Sequence, residues 1–355
     1  MKKNVLLLFS WLCWGFALGT FILLFPLRKT VDFARGHNWA EVTENLLVFF
    51  YIVLLAVVSY LLARFTTSRT LHGNTSKGGK ALHISVPVVA AIIALFVMLN
   101  PAWNNTGTKE AELNTQFTIG PYPTEDKIHE LKKAGYTAII SLLHPAVVPF
   151  EPKLLGEETT YANRQKLELI SIPMLPWISE NEEAINKLRT IVRQAKGKYY
   201  IHCYLGKDRV NVARRIIEQE SSNKIVLEQG LKHRSIDDIE AFERGKIYKL
   251  APEVYFTPFP TDEEYFGYIV ATDFKQVVAL SDLSDGQAVA RTDKEKESLQ
   301  NYNIAYKRYD VNERTGEERL KAIADSVKDM GKPLLIHTFR SDQPIAQLFM
   351  KVYAR

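Results

Sequence analysis

Tyr199-Tyr200-Ile201-His202-Cys203-Tyr204-Leu205-Gly206-Lys207-Asp208-Arg209 decides the fold. Tyr199 to His202 has the character of a strand, and a helical pattern through Val212, Ala213, Ile216 and Ile217 leaves a short loop that contains Gly206. Backbone N–H groups of a loop that runs into a helix N-terminus converge on an anion. The helix dipole adds positive potential there, and an Arg fork can take two phosphate oxygens at once. Cys203 opens this loop and Arg209 closes it. The same field favours a thiolate, and a thiolate beneath a bound phosphorus is a nucleophile for covalent phosphoryl transfer. Tyr204, Leu205, Gly206 and Lys207 are the expected phosphate-binding positions.

His202-Cys203, five residues and Arg209 resemble the signature of the cysteine-dependent phosphatases, the superfamily of protein-tyrosine, dual-specificity and phosphoinositide phosphatases. The preceding His202, the central Gly206 and the strand-before, helix-after context sharpen the match. The resemblance implies that Cys203 attacks phosphorus, that Arg209 and the loop backbone hold the phosphoryl oxygens, and that His202 helps hold the loop by hydrogen bonding. It implies no metal and no cofactor. The alternative from the residues alone is a buried structural Cys beside a surface Arg.

The loop departs from the family pattern in two ways. Related enzymes place an acid catalyst on a mobile loop after the strand that precedes the signature, whereas Ile172-Pro173-Met174-Leu175-Pro176-Trp177-Ile178-Ser179-Glu180 contains no Asp. Glu180 and Glu182 are within reach, although acids also suit a helix N-terminus. Cys-x-x-Gly-Lys-Asp-Arg is similar to the loop of bacterial phosphatases acting on phosphoinositides and phosphotyrosine, and Asp before the Arg also occurs in myotubularin-like lipid phosphatases. That similarity implies Asp208 as general acid; the competing reading is that Asp208 orients Lys207 or Arg209 by ion pairing. Lys207 would add charge for a multiply phosphorylated or lipid-linked headgroup. Val210 and Asn211 also stand where the family has a hydroxyl residue and Gly, so the expectation is either a slow second step or an Asn211 that takes over the hydroxyl's hydrogen bond.

The chain of 355 residues carries a net charge of +5, which decides little alone, and no nucleic-acid partner is expected. Its only cysteines, Cys13 and Cys203, exclude a disulfide framework, since Cys13 lies in an apolar run. They also leave no zinc site of cysteine type. Val5 to Leu27, Leu46 to Ala63 and Ala81 to Leu99 are each long and apolar enough to span a bilayer. Residues 1–103 therefore read as a membrane region with three spans. A signal peptide is the alternative for the first, but its apolar part is too long and two more spans follow. His83 and Pro87 in the third span read as an interfacial residue and a tolerated kink.

Lys2, Lys3, Arg64, Arg69, Lys77 and Lys80 on the cytoplasmic face, against Arg28, Lys29, Arg35 and Lys109 opposite, favour an inside N-terminus. The expectation is a multi-pass protein of a bacterial inner membrane with its catalytic part periplasmic.

Residues 104–116 read as a turn-rich linker, and residues 117–221 as the catalytic domain, with strands alternating with helices around a largely parallel sheet. The chain then repeats itself. Thr257-Pro258-Phe259-Pro260-Thr261-Asp262 echoes Gly120-Pro121-Tyr122-Pro123-Thr124-Glu125, and Leu334-Leu335-Ile336-His337-Thr338 echoes Tyr199 to Cys203. Residues 254–355 are thus expected to be a second, degenerate phosphatase-like domain. Thr338 stands where the nucleophile should be, Asp342 at the Lys207 position and Pro344 at the Arg209 position. Residues 222–253 read as a linker or helical lid, with Lys232, His233 and Arg234 facing anionic headgroups or plain solvent.

The expected fold class is thus an α-helical transmembrane region followed by α/β, as two tandem domains of which the second is degenerate. The expected partners are the membrane and a lipid or protein phosphomonoester. Three spans favour a phospholipid headgroup such as a phosphoinositide or phosphatidylglycerophosphate. The alternatives are a protein-tyrosine or dual-specificity phosphatase and a phosphate-binding scaffold without turnover.

Overall fold

A computed structural model describes residues 2–27, 30, 41–72, 76–99, 110–148, 150–221 and 234–355. Residues 1–104 form one compact unit and residues 105–355 another. Lys232 and His233, and residues 104–109 of the expected linker, lie outside the described residues.

The first unit holds helices α1 (Lys2–Leu24), α2 (Glu41–His72) and α3 (Lys77–Leu99). Lys3–Leu24, Leu46–Leu71 and Gly78–Met98 are long and apolar enough to cross a membrane. The second runs beyond the expected Ala63, through the buried Thr66, Thr67 and Thr70. Ser10 Oγ meets Thr66 Oγ1 at 2.7 Å, and Trp11 Nε1 donates to Ser59 Oγ at 3.0 Å. Such pairs join helices where lipid offers no competing partner. Leu12, Leu46 and Leu82 turn outward, each at least 60 % exposed. That is the pattern of a bundle whose outer face meets apolar solvent.

The second unit contains two sheets. The first has strand order β1-β2-β5-β3-β4, formed by β1 (Ala111–Glu112), β2 (Phe117–Gly120), β3 (Ala138–Ser141), β4 (Glu168–Ser171) and β5 (Tyr199–His202). Only the β1–β2 pair is antiparallel. The crossovers are helices α4 (Glu125–Lys133), α5 (Phe150–Gln165) and α6 (Glu182–Gln194), and α7 (Asp208–Glu220) leaves the signature loop. Thr124 caps α4 through its hydroxyl, accepting from the Lys127 N–H.

Residues 241–251, expected to be linker or lid, are ordered strands. Hairpin β6 (Ala241–Phe242) and β7 (Gly245–Lys246) precedes β8 (Tyr248–Ala251), which pairs antiparallel with β9 (Val254–Pro258) and so edges the second sheet. Their alternation is too short to register as strand in the sequence; sheet pairing supplies the missing backbone partners. A helical segment follows, α8 (Asp262–Glu264), which continues into a π-helical turn at Tyr265–Val270. β10 (Gln276–Ser281), α9 (Gly286–Gln300), β11 (Ala305–Asp310), α10 (Glu317–Lys328), β12 (Leu334–Thr338) and α11 (Pro344–Tyr353) complete the chain.

The second sheet runs β8-β9-β12-β10-β11, again with one antiparallel pair at the β8 edge. Each strand thus has a counterpart in the first sheet, in the same order and with the same polarity.

The two halves share a core. Ile178, Val212 and Ile216 of the first half lie in one buried cluster with Tyr265, Phe266, Ile269 and Tyr302 of the second. Arg215 on α7 reaches across, donating to the carbonyls of Thr272 at 2.7 Å, Phe274 at 2.6 Å and Tyr302 at 3.2 Å. Burial pulls its guanidinium down to about 10. Carbonyl dipoles alone compensate a buried cation only in part.

Candidate active site

Cys203 ends the β5 strand and is 3 % exposed, with its loop closed by the first turn of α7. Gly206 lies at φ +64°, and a Cβ there would come within 2.6 Å of the Pro121 nitrogen. Only glycine permits both the left-handed backbone and the close approach of the Gly120-Pro121 chain. Tyr122 N donates to Tyr204 O at 3.4 Å, and Phe150 stacks on Tyr204. The N–H groups of Leu205, Gly206 and Lys207 donate to no backbone carbonyl of the described residues. Donors left over in a loop that enters a helix are what an anion requires.

Arg209 is held by a residue the sequence reading did not single out. Glu151, 2 % exposed on α5, takes Nη1 through Oε2 at 2.9 Å and Nη2 through Oε1 at 2.5 Å. Nη1 also donates to Leu142 O at 2.9 Å and Met174 O at 3.2 Å. This bidentate grip occupies the Nη1–Nη2 edge, so the Nε side of the fork is the one turned to other partners. Burial acts to lower the guanidinium's pKa, but hydrogen bonding to Glu151 and the charges of Cys203 and Glu151 outweigh it and hold it above the ordinary value.

His202 is fully buried and pairs through Nε2 with Oε1 of Glu158, also on α5 and also fully buried. Its ring stacks on Tyr200 and meets the edge of Tyr122. Burial, then the charge of Glu158, pushes the Tyr122 phenol far above its usual range. Glu151 and Glu158 lie two turns apart on one face of α5, and that spacing was the available signal. Pro152 and Gly156 obscured the helix that carries them. Proline fits only because it sits in the first turn.

Asp208 faces neither Lys207 nor Arg209 as partner. Arg234, from beyond the first half, takes it by both oxygens at 3.1 and 3.0 Å. The Arg234 guanidinium also lies 5.4 Å from the centre of the Tyr268 ring. Burial would lower its pKa, but the charges of Asp208 and Tyr268 keep it raised. Lys207 makes no ion pair with the described residues.

Glu180 sits at φ +64° and is exposed, as is Glu182 in the first turn of α6. The loop before them is fastened. Asn181, 2 % exposed, bonds Leu175 N, Leu175 O and Trp177 O. Ile178 N donates to Asp262 O at 3.1 Å, and Tyr302 hydroxyl donates to Ile178 O at 3.0 Å. Val210 is buried in the core, and Asn211 donates from Nδ2 to Lys207 O at 2.9 Å. The amide thus steadies the loop.

In the second half His337 Nε2 lies 2.8 Å from Glu295 Oε1 but makes no hydrogen bond there, and the Tyr265 hydroxyl donates to that oxygen instead, whereas His202 is hydrogen-bonded to Glu158. The other pair is gone, because Pro344 stands at the Arg209 position and Ala288 lies as far before Glu295 as Glu151 lies before Glu158. Thr338 Oγ1 donates to Arg340 O at 2.9 Å. The β6–β7 turn covers this loop: a Cβ on Gly245 would meet Ser341 Oγ at 2.7 Å, and Arg244 lies over Phe259 and Phe339.

No protein-family model matches the chain, and no curated protein matches it. Among solved structures, two crystal structures from Shewanella putrefaciens CN-32, at 1.40 and 1.60 Å resolution, are described as "Putative phosphatase (DUF442)". They share 19 % and 20 % identity over 32 % of this chain, covering 72 % and 71 % of theirs, with TM-scores of 0.28.

Proposed function

We propose that this chain is a membrane-anchored phosphatase that hydrolyses a phosphate monoester of a phospholipid headgroup through a cysteinyl-phosphate. One arrangement carries the reading: a cysteine beneath loop N–H groups, flanked by an arginine whose fork a buried carboxylate holds in place. Cys203 Sγ attacks phosphorus and the P–O bond to the alcohol breaks. The leaving oxygen takes a proton. Water then attacks phosphorus, the S–P bond breaks, and the thiolate is restored as inorganic phosphate leaves. Arg209 and the loop N–H groups stabilise charge on the equatorial oxygens in both steps. Three apolar helices favour a substrate in the bilayer, and the Lys and Arg distribution favours a site outside the cytoplasm.

The leaving oxygen's proton comes from Asp208, which must leave Arg234 to carry it. Asp208→Asn is therefore expected to slow hydrolysis of alkyl phosphates by about 100-fold while sparing p-nitrophenyl phosphate, whose phenolate needs no proton. Equal losses on both would make Asp208 a positioning residue.

The test of the function is phosphate release by the full chain in nanodiscs, measured across lipid phosphates, phosphopeptides and soluble inositol phosphates. Release from phosphopeptides alone would make it a protein phosphatase. Binding without release from any of them would make it a phosphate-binding scaffold.

A further inference from the structure

On the phosphatase reading Arg209 and the loop N–H groups take the phosphate on Cys203, and a second guanidinium stands at the same loop. Arg234 is bound to Asp208, the residue that precedes Arg209, and its side chain is 49 % exposed. Tyr268 braces it from one side. Arg234 and Tyr268 also line a groove of about 680 Å³, together with Lys249, Asp237 and Tyr255. Lys249 donates to Asp237 at 2.7 Å, and the Tyr255 hydroxyl donates to the same carboxylate at 2.9 Å. Acids, a cation and phenols in one groove suit a hydroxyl-rich headgroup.

Resting on the phosphatase reading, we propose that Arg234 is the specificity-determining residue for a second phosphate on the substrate, and that this phosphate, by taking the guanidinium, releases Asp208 to act as acid. The charges fit the exchange. A guanidinium bound to a lone carboxylate can trade it for a phosphate of higher charge, with the same bidentate geometry. Proton transfer is then favoured when the doubly phosphorylated substrate is in place. Singly phosphorylated molecules leave Asp208 paired with Arg234.

The test compares an inositol monophosphate with an inositol bisphosphate, both as free molecules and as lipids in nanodiscs, using the full chain and its Arg234→Gln variant. The expected wild-type preference for the bisphosphate in kcat/KM is about tenfold or more, the value of one charged hydrogen-bonded contact. In Arg234→Gln that ratio should fall to near one, and Arg234→Lys should restore part of it. The format that wild type turns over faster tells whether the second phosphate arrives on a lipid or free. A ratio unchanged by Arg234→Gln would overturn the inference, as would a wild type with no preference. Turnover of p-nitrophenyl phosphate that Cys203→Ser abolishes tests the phosphatase reading separately. Without any turnover, calorimetric affinities of the two inositol phosphates for Cys203→Ser, with and without Arg234→Gln, decide the same ratio.

Discussion

Cys203→Ser should lower phosphate release by at least about 10⁴-fold, the order of loss when a covalent nucleophile is removed. The hydroxyl keeps the shape of the loop but is not ionised at neutral pH, so the phosphoenzyme cannot form. Binding should survive, because Arg209 stays on Glu151 and the loop N–H groups do not depend on sulfur. The measurement is a burst of product in rapid quench for wild type and none for the variant, with ligand affinity unchanged within a few-fold. Release near the wild-type rate would remove the covalent mechanism altogether.

The second large effect belongs to Glu151. Replacing it by Gln keeps the volume but takes away the charge that balances a buried guanidinium. Breaking such a pair from one side costs about 3–5 kcal/mol of stability, because the remaining ion is stranded in the interior. Turnover should fall by about 10²–10³-fold, the scale of losing one oxyanion donor, since Arg209 then keeps only the Leu142 and Met174 carbonyls, both on Nη1, and loses the bidentate grip that fixes its fork. Arg209→Lys should lose a comparable amount, and the double variant should lose little more than either alone. Additive losses would show that Glu151 and Arg209 act independently. Chemical denaturation of the variants separates the stability cost from the catalytic one.

The two halves differ in the buried charged contacts they carry. Both place a buried His beside a buried Glu between the central strand and the helix beside it, His202 with Glu158 and His337 with Glu295. Only the first keeps the Arg–Glu pair. The second half instead lends structure to the first. Its Asp262 and Tyr302 fasten the loop before Glu180, and Arg215 is docked on its carbonyls.

The sequence by itself determined the three apolar spans, the strand-loop-helix around Cys203 and the echo of one half in the other. All three rest on local signals: hydrophobic length, a glycine at a loop position with φ +64°, and recurring short strings in a fixed order. Tertiary structure alone decided which charges meet. Glu151 reaches Arg209 only because α5 crosses beside β5, and Arg234 reaches Asp208 only because the second half packs on α7. Spacing along a chain fixes which face of a helix a carboxylate occupies. It does not fix what lies opposite, because that partner is brought near by burial of distant apolar surfaces, a force without direction that leaves no mark beside the charged residue itself.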